Sequence, residues 1–395
     1  MADSFSIGIN AYEANVPKRV GSNLYAFELL HELEIQTRPQ ESQGVLPTSQ
    51  TPISWTIYLP SPPLLDLPQP RPGWEYRVIP PKSLWTQWRL PLELHLTKTK
   101  HDVFVSLGHF APRFCPFPSV VCILDLAFLQ FPQFFLKKDL YKLRAWTKYS
   151  VKNAKYIFTI SERTKLDVEK AYGVLPEQIG IVHPGISSKQ NPTQDEDPFG
   201  SEKDKVLSKY ALTKEKYIVS IGTVQPRKNI LSAIKAFEKI NPTFQDAYSL
   251  VLIGKYGWLA DEVQQAVDRS PQKERIICTG FVTDAVKNIL LKNSSFSFLV
   301  GYYEGFGIPA VESLSYGILP VVANAGSLPE VVGEYGVLVD PYSVDSIASG
   351  FTKAIQNPPT QLRRRQMMEW AAQFSWKTSS AKMIEILLDK FKGKQ

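Results

Sequence analysis

Cysteine is scarce in this chain, and two other common signals are missing. The only three cysteines in 395 residues are Cys115, Cys122 and Cys278. Such a scattered, odd set forms neither a disulfide framework nor the paired spacing of a zinc site, so we expect a reducing compartment such as the cytoplasm. No apolar run reaches the roughly 18 residues that would cross a membrane. The first residues also lack the basic start and apolar segment of a signal peptide.

The remaining composition is that of an ordinary globular protein. Hydrophobic residues make up 44% of the chain and charged residues 21%, which excludes a disordered or fibrous protein. A chain of 395 residues is too long for one ordinary core, so we expect two domains. The net charge of +7 favours polyanionic partners such as nucleotides or anionic lipid. Aromatic residues interleaved on a basic face are not evident, so nucleic acid is not an expected partner.

Strand and helix patterns alternate along both halves of the chain. Buried apolar runs end in a glycine or a polar residue and are followed by helical segments, which is typical of a parallel, doubly wound sheet. The pattern fills residues 1–187 and starts again over 207–375. Between them, residues 188–206 are rich in Ser, Pro, Asp, Glu and Lys and predict a linker. The sequence therefore predicts an α/β fold with two Rossmann-like domains.

The most distinctive stretch is Glu304-Gly305-Phe306-Gly307-Ile308-Pro309-Ala310-Val311-Glu312. It follows the apolar run 296–300, which predicts a buried strand, and precedes a short helical pattern that stops at Gly317. Ligands of open α/β sheets bind where a strand ends and a helix begins. The glycines allow a ligand close to the backbone, and the helix start favours an anionic or hydroxyl-rich ligand. By spacing alone, two exposed glutamates beside a plain turn remain the simpler interpretation.

A second turn carries two adjacent cations at the start of a helix. The strand 217–222 ends at Gly222, and the turn that follows contains Arg227 and Lys228. Cations at a helix start oppose the helix dipole, and a solvated turn is the plain interpretation. An anion between them and the helix would favour this placement. A diphosphate fits, because arginine offers a planar fork and lysine a point charge.

Together, the stretch Glu304 to Glu312 and the turn with Pro226-Arg227-Lys228-Asn229 resemble the donor-sugar motifs of retaining glycosyltransferases of family 4. The resemblance spans nearly the whole chain, is strongest over 217–345, and is to mannosyltransferase-like members. It implies the GT-B fold, in which two Rossmann-like domains face a central cleft. The first domain would bind the acceptor and the second a nucleotide-diphospho-sugar. A C-terminal helix at about 376–395 would pack back on the first domain.

The resemblance also implies roles for individual residues. Glu304, Arg227 and Lys228 are the implied catalytic residues, with Glu304 at the sugar ring and the two cations at the diphosphate. Glu312 would bind the ribose of the donor. The other implied donor-binding residues lie in turns after strands: Gly21, Gly222, Gly254, Val282, Gly305, Phe306, Gly307 and Ile308.

No metal and no cofactor are expected, because the two cations already neutralise the diphosphate. Asp195-Glu196-Asp197 fits the Asp-x-Asp pattern that holds a metal in another class of glycosyltransferases. We discount it, because no strand precedes it and no partner ligand is near in sequence.

Two polar residues end successive predicted strands in the first half, His109 and Asp125. Parallel strands end at one edge of a sheet, so both are candidates for the acceptor side of the site. The family typically has His-Asp-Leu where this chain has Leu124-Asp125-Leu126. A polar group often placed near the reacting sugar is therefore missing, and the sequence leaves open whether His109 replaces it.

Two segments of the first half have alternative interpretations. Residues 136–154 predict a basic amphipathic helix, with seven Lys and Arg against one acid over 137–155. It fits either a solvated helix or a peripheral contact with an anionic membrane. The other segment, 83–91, contains Trp85 and Trp88, for which we favour aromatic core packing over a surface anchor.

The sequence thus predicts an enzyme in the cytoplasm, with a peripheral position at the inner membrane face left open. The resemblance implies a retaining, metal-independent hexosyltransferase. It would move mannose from GDP-mannose to a glycan or lipid-linked acceptor in envelope polysaccharide biosynthesis. Two alternatives stay open: a nucleotide-sugar epimerase or hydrolase on the same fold, and a non-catalytic nucleotide-sugar-binding protein.

Overall fold

The computed structural model describes residues 4–39, 52–186, 200–240, 248–258 and 260–393. The chain divides into two compact units. The first contains residues 1–185 and 376–395, and the second contains residues 186–375. The acidic run Asp195-Glu196-Asp197 lies outside the described residues.

The strands form two sheets, one in each unit, and every strand pairing within them is parallel. In the first unit the strands are β1 Phe5–Asn10, β2 Ile53–Leu59, β3 Trp74–Val78, β4 Val103–Ser106, β5 Ser119–Ile123, β6 Tyr156–Thr159 and β7 Ile179–Ile181. In the second unit they are β8 Tyr217–Ile221, β9 Ser249–Ile253, β10 Ile276–Gly280, β11 Phe296–Leu299, β12 Pro320–Ala323 and β13 Val337–Val339.

Helices form most of the connections between strands in the described part of the chain, and loops join β2 to β3 and β4 to β5. In the first unit the helices are α1 Ser22–Gln36, α2 Leu90–Leu96, α3 Ala127–Gln130, α4 Lys137–Asn153 and α5 Glu162–Tyr172. In the second unit they are α6 Gly200–Lys209, α7 Ile230–Lys239, α8 Asp261–Arg269, α9 Asp284–Lys292, α10 Ile308–Ser315, α11 Leu328–Val332, α12 Val344–Gln356 and α13 Gln361–Ala372. The last helix, α14 Trp376–Phe391, belongs to the first unit.

Both sheets have the strand order of a doubly wound fold, so this prediction is confirmed. The order is β3-β2-β1-β4-β5-β6-β7 in the first unit and β10-β9-β8-β11-β12-β13 in the second. Each order reverses direction once, between β1 and β4 and between β8 and β11. A reversal of this kind opens a crevice at the carboxyl ends of the strands, where ligands of such sheets bind.

Several strands are buried along their whole length, because helices cover both faces of a parallel sheet. All residues of β4, β5, β6, β11 and β12 are buried. These are the continuous apolar runs that predicted strands in the sequence. In the second unit the core joins the strands to α7 and α12, around Phe237, Phe296 and Phe351.

The C-terminal helix α14 packs on α1 in the first unit. The rings of Tyr25 and Trp376 meet edge to face with centroids 5.6 Å apart, and the Ser379 hydroxyl donates to the carbonyl of His183 at 2.6 Å. Helix α6 begins at Gly200, so part of the segment predicted as a linker, 188–206, is helical. No helix among the described residues is both long and apolar enough to cross a membrane.

The two tryptophans of the segment 83–91 have opposite environments. Trp85 is 2% exposed, and its indole N–H donates to the carbonyl of Ile79 at 2.8 Å. Trp88 is 69% exposed. The prediction of core packing is therefore confirmed for Trp85 and wrong for Trp88. Residues 85–89 form a π-helical turn, in which residues three apart are separated more widely around the axis than in an α-helix.

Candidate functional site

The candidate site of the second unit lies where the sheet order reverses, at the carboxyl ends of β8 and β11. These strands pair only through Ile218 with Phe296 and Val219 with Ser297. Beyond those two pairs, β8 and β11 no longer pair with each other. The turn with Arg227 and Lys228 follows β8, and the turn with Glu304 follows β11. The topology thus places the two sequence motifs on either side of one crevice.

Glu304 is the centre of this crevice, and both predicted cations contact it. Lys228 Nζ lies 2.5 Å from Glu304 Oε1, and Arg227 Nη1 lies 3.2 Å from Oε2. Glu304 is only 6% exposed. Burial alone would raise the pKa of Glu304, but the charges and hydrogen bonds of Lys228 and Arg227 outweigh it and lower the pKa below its ordinary value. Glu304 is therefore an ionised, buried carboxylate at neutral pH.

The backbone on both sides of the crevice is held in place. Arg227 donates a hydrogen bond to the carbonyl of Tyr303, and the Tyr302 N–H donates to the carbonyl of Arg227 at 3.0 Å. The Ser327 hydroxyl donates to the carbonyls of Glu304 and Phe306 at 3.0 and 2.9 Å. These contacts fix the Glu304 carboxylate before any ligand arrives.

Asn229 and Gly326 shape the same frame. The Asn229 side chain is buried and donates to the carbonyls of Val300 and Pro341, at 3.1 and 2.7 Å. It thereby ties the start of α7 to the ends of β11 and β13. At Gly326 a Cβ atom would lie 2.6 Å from the Glu304 carbonyl oxygen. A side chain at this position would push the Glu304 turn out of place.

Glu312 has a partner that sequence reasoning missed. Lys287 of α9 lies 2.7 Å from Glu312 Oε1 and 3.2 Å from Asp284 Oδ1. Burial would lower the pKa of Lys287, but Glu312 and Asp284 raise it, so Lys287 is a cation. Glu312 is 5% exposed, and the lysine balances its charge. The only local signal was the spacing from Asp284 to Lys287, which is also common on solvated helices.

Of the predicted donor-binding glycines, Gly222 and Gly254 lie side by side at the ends of β8 and β9. A Cβ on Gly254 would lie 2.1 Å from the Gly222 carbonyl oxygen, whereas a Cβ on Gly222 would make ordinary contact with the Lys228 side chain. The N–H of Gly254 also donates to the carbonyl of Gly280 at 3.0 Å. Gly254 thus lets two strand ends approach closely.

We expect Gly254→Ala to destabilise the protein more than Gly280→Ala. The first change forces a methyl group into the Gly222 carbonyl and needs a backbone shift, which costs about 1–3 kcal/mol beyond any conformational strain. Gly280 has φ +69°, and a Cβ added there would meet no heavy atom within 4 Å, so its cost is the left-handed conformation, about 1–2 kcal/mol. Equilibrium unfolding in urea measures both. Equal losses of unfolding free energy in the two variants would contradict the close approach of Gly254 to the Gly222 carbonyl.

The remaining residues that were predicted to bind the donor have no exposed side chain. Phe306 is 4% exposed, and its ring meets Phe374 edge to face at 5.4 Å. Gly307 has φ +97° and precedes α10, which begins at Ile308. Gly305 is buried in the same turn. Val282 packs, half-buried, against the apolar cluster that contains Leu290.

The predicted acceptor-side residues lie in the first unit, after β4 and β5. The Leu124 N–H donates to His109 Nε2 at 3.4 Å, so the structure brings His109 beside the leucine that stands where the family has histidine. Burial lowers the pKa of His109, although the charge of Asp125 opposes the effect. The ring is therefore neutral with its proton on Nδ1, which is buried and has no hydrogen-bond partner among the described residues.

Asp125 and Gly21 have simpler surroundings. Asp125 Oδ1 accepts from the Ala127 N–H at 3.1 Å at the start of α3. Gly21, with φ +54°, precedes α1 after the turn that follows β1. It is exposed, and a Cβ there would meet no heavy atom within 4 Å.

The fold and the site define an α/β protein with a buried carboxylate held between two cations at the topological switch point of its second sheet, where ligands of such sheets bind. Solved structures with the same fold include WaaG, a glycosyltransferase involved in lipopolysaccharide biosynthesis (TM-score 0.68, 14% identity, 98% of this chain and 100% of that one). Another is HepE of Anabaena in complex with UDP and glucose (TM-score 0.70, 15% identity, 98% and 100%). These likenesses show the GT-B fold.

Sequence comparison relates the second unit to a known family. Residues 202–373, nearly all of the second unit, match the family model described as glycosyl transferases group 1. The chain is 28% identical to O-antigen chain mannosyltransferase B of Escherichia coli over 267 residues, 67% of this chain and 69% of that protein. It is 29% identical over 181 residues to the serotype-specific mannosyltransferase WbdA of the same species, covering 45% of this chain and 22% of WbdA. Residues 202–373 thus resemble the glycosyl transferases group 1, and this match and the relatives together support a glycosyltransferase.

Proposed function

We propose that this glycosyltransferase moves mannose from GDP-mannose, with retention of configuration, to a glycan or lipid-linked acceptor of an envelope polysaccharide. The observation that carries the proposal is the buried Glu304 held between Arg227 and Lys228 at the switch point of the second sheet. The choice of mannose is supported by the names of the two Escherichia coli relatives. A nucleotide sugar as donor is further supported by the UDP complex of HepE.

The charges of the site match the charges that develop during transfer. As the bond from the anomeric carbon to the phosphate oxygen breaks, negative charge grows on the nucleoside diphosphate and positive charge on the sugar. Arg227 and Lys228 would stabilise the leaving diphosphate, and the Glu304 carboxylate would stabilise the sugar. Preorganised charges of this kind are the largest catalytic effect in many enzymes. Since the two cations neutralise the diphosphate, we propose that transfer needs no metal.

The configuration of the anomeric carbon would be retained because the acceptor attacks the same face of the sugar from which the diphosphate leaves. The acceptor hydroxyl oxygen would form the new bond to the anomeric carbon, and its proton would pass to the departing phosphate oxygen. Glu304 would be a weak nucleophile, because Arg227 and Lys228 lower its pKa and hence its basicity. A front-face reaction with the phosphate as base therefore fits the residues present.

The remaining predicted residues would position the substrates. Glu312, oriented by Lys287, would accept hydrogen bonds from the ribose hydroxyls. The backbone from Gly305 to Ile308 would contact the sugar and phosphates near the start of α10. In the first unit, His109 and Asp125 would lie on the acceptor side of the site, at the ends of β4 and β5. We place this chemistry in the cytoplasm, at the inner face of the membrane when the acceptor is lipid-linked.

Thermal denaturation with a panel of nucleotide sugars tests the donor. We expect GDP-mannose to give the largest rise in Tm. A ligand at a hundred times its Kd stabilises by about 2.7 kcal/mol, which raises the Tm of a unit of this size by several degrees. Product analysis with the best donor then separates transfer from hydrolysis or epimerisation, which proceed without acceptor. Absence of stabilisation by every UDP-, GDP- and ADP-sugar would contradict the proposal.

A further inference from the structure

The helical segment after β3 carries an apolar stripe on its solvent side. Leu84, Trp88, Leu92 and Leu96 recur every fourth residue through the turn 85–89 and α2, and are 58%, 69%, 54% and 71% exposed. Residues at this spacing lie along one face of a helix. We call these four residues the docking stripe. Single exposed leucines are ordinary, but a contiguous row of large apolar side chains marks an interaction surface.

The fold of the first unit does not account for the docking stripe. The opposite face of the same segment supplies the packing, through Trp85, Leu90 and Leu94, which are buried. These three join a core cluster with Tyr58, Ile79 and Phe104. The segment is thus apolar on both faces, and within the part of the chain that the structure describes only the inner face is covered. A helix that is hydrophobic all round is normally buried on all sides.

The segment that carries the docking stripe is connected to helix α4 of the same unit. Arg113 Nε donates to Gln87 Oε1 at 2.8 Å, and the Phe114 N–H donates to Tyr149 Oη at 2.9 Å. The loop 113–114 therefore joins the stripe segment to helix α4. Phe114 is 72% exposed and is another large apolar side chain on the outside of this unit.

The charges around the docking stripe are strongly positive. Residues 82–100 contain Lys82, Arg89, Lys98 and Lys100 against the single acid Glu93, whose carboxylate is paired with Arg89 and Arg77. Helix α4 adds the basic face that the sequence predicted, and its Tyr141 is 72% exposed. A surface of this kind, with leucines and an aromatic bordered by Lys and Arg, complements an anionic lipid interface.

We propose that the docking stripe inserts into the headgroup region of an anionic membrane while Lys82, Lys98, Lys100 and α4 contact the lipid phosphates. Trp88 is suited to this position, because its ring is amphipathic and tryptophan is enriched at membrane interfaces. The proposal adds a specific surface to the inner-membrane location given above, but it rests on exposure and charge in the first unit and not on the donor site.

Vesicle sedimentation with the full chain tests the proposal. We expect binding to vesicles of equal parts phosphatidylcholine and phosphatidylglycerol, weakening as salt is raised, and little binding to phosphatidylcholine alone. The double variant Trp88→Gln/Leu92→Gln should bind the anionic vesicles at least tenfold less tightly, because it removes apolar groups that bury on insertion. The matched control is Leu362→Gln, which removes a leucine that is 67% exposed on α13 of the other unit, and it should bind as the wild type does.

Two further measurements keep the outcome clear. Far-UV circular dichroism and the rise in Tm with a nucleotide sugar should be unchanged in the double variant, so loss of vesicle binding is separable from failure of the donor site. Unchanged vesicle binding by the double variant would overturn the proposal. So would self-association of the wild type in the absence of vesicles that the double variant abolishes, since the stripe would then bind a second copy of the chain.

Discussion

Glu304→Gln should lower kcat for sugar transfer by about 100–1,000-fold, the range measured when one preorganised electrostatic group is lost from an active site. The amide keeps the size of the side chain but not its charge. In the transition state the developing positive charge on the sugar would then lack its counter-charge. Initial rates with the donor identified by thermal denaturation measure the effect. The surface glutamate Glu334, 72% exposed and near Arg363, gives the matched control Glu334→Gln, which should keep full activity.

A second readout separates this catalytic role from a merely structural one. Glu304→Gln leaves Arg227 and Lys228 without their buried carboxylate, so these cations remain available for the diphosphate. We therefore expect the rise in Tm with donor to persist in the variant while kcat falls. Loss of donor binding together with activity would show that Glu304 mainly shapes the site. Full activity of Glu304→Gln would remove Glu304 from the mechanism.

The same variant should change how stability depends on pH. The pKa of Glu304 is lowered in the folded state from the ordinary value of 4.5. Its contribution to stability is therefore fully present above about 4.5 and is lost as the pH falls through the lower, folded-state pKa. Wild-type stability should decrease in that acid range, and Glu304→Gln should decrease less. This follows from the sign of the shift and needs no substrate.

The strands and motifs were predictable because they are encoded locally. The run 296–300 and the strand 217–222 are continuous apolar segments, and the structure places β11 and β8 there within a residue. Glycines in the following turns indicate where the chain must turn tightly. The doubly wound order then follows from the alternation of strands and helices, which is why the fold was correctly predicted from the sequence.

The partners within the site were not encoded locally. Lys228 and Glu304 are 76 residues apart, and Lys287 is 25 residues from Glu312. Their contacts depend on which strands become neighbours, so a lysine on α9 looks like any solvated lysine in the sequence. The environment of Trp88 was also missed, because residues three apart normally share one face of a helix, and nothing in the sequence indicated the π-helical turn of residues 85–89.

Arg227→Ala should lower kcat/KM by at least about 100-fold and reduce the rise in Tm with donor, because Arg227 would bind the diphosphate in both the ground state and the transition state. The control is Arg363→Ala, which removes an arginine paired with Glu334 in a partly exposed contact. It should leave transfer unchanged.

Arg227→Lys distinguishes charge from geometry. The lysine keeps the positive charge, but Arg227 also donates to the carbonyl of Tyr303 and to Glu304, and a single ammonium group cannot reproduce the planar fork that serves these two groups and a phosphate. We expect activity between those of the wild type and Arg227→Ala. Activity equal to the wild type would mean that charge alone matters at position 227. Full activity of Arg227→Ala would place the diphosphate elsewhere, because the leaving group could not then depend on this arginine for its counter-charge.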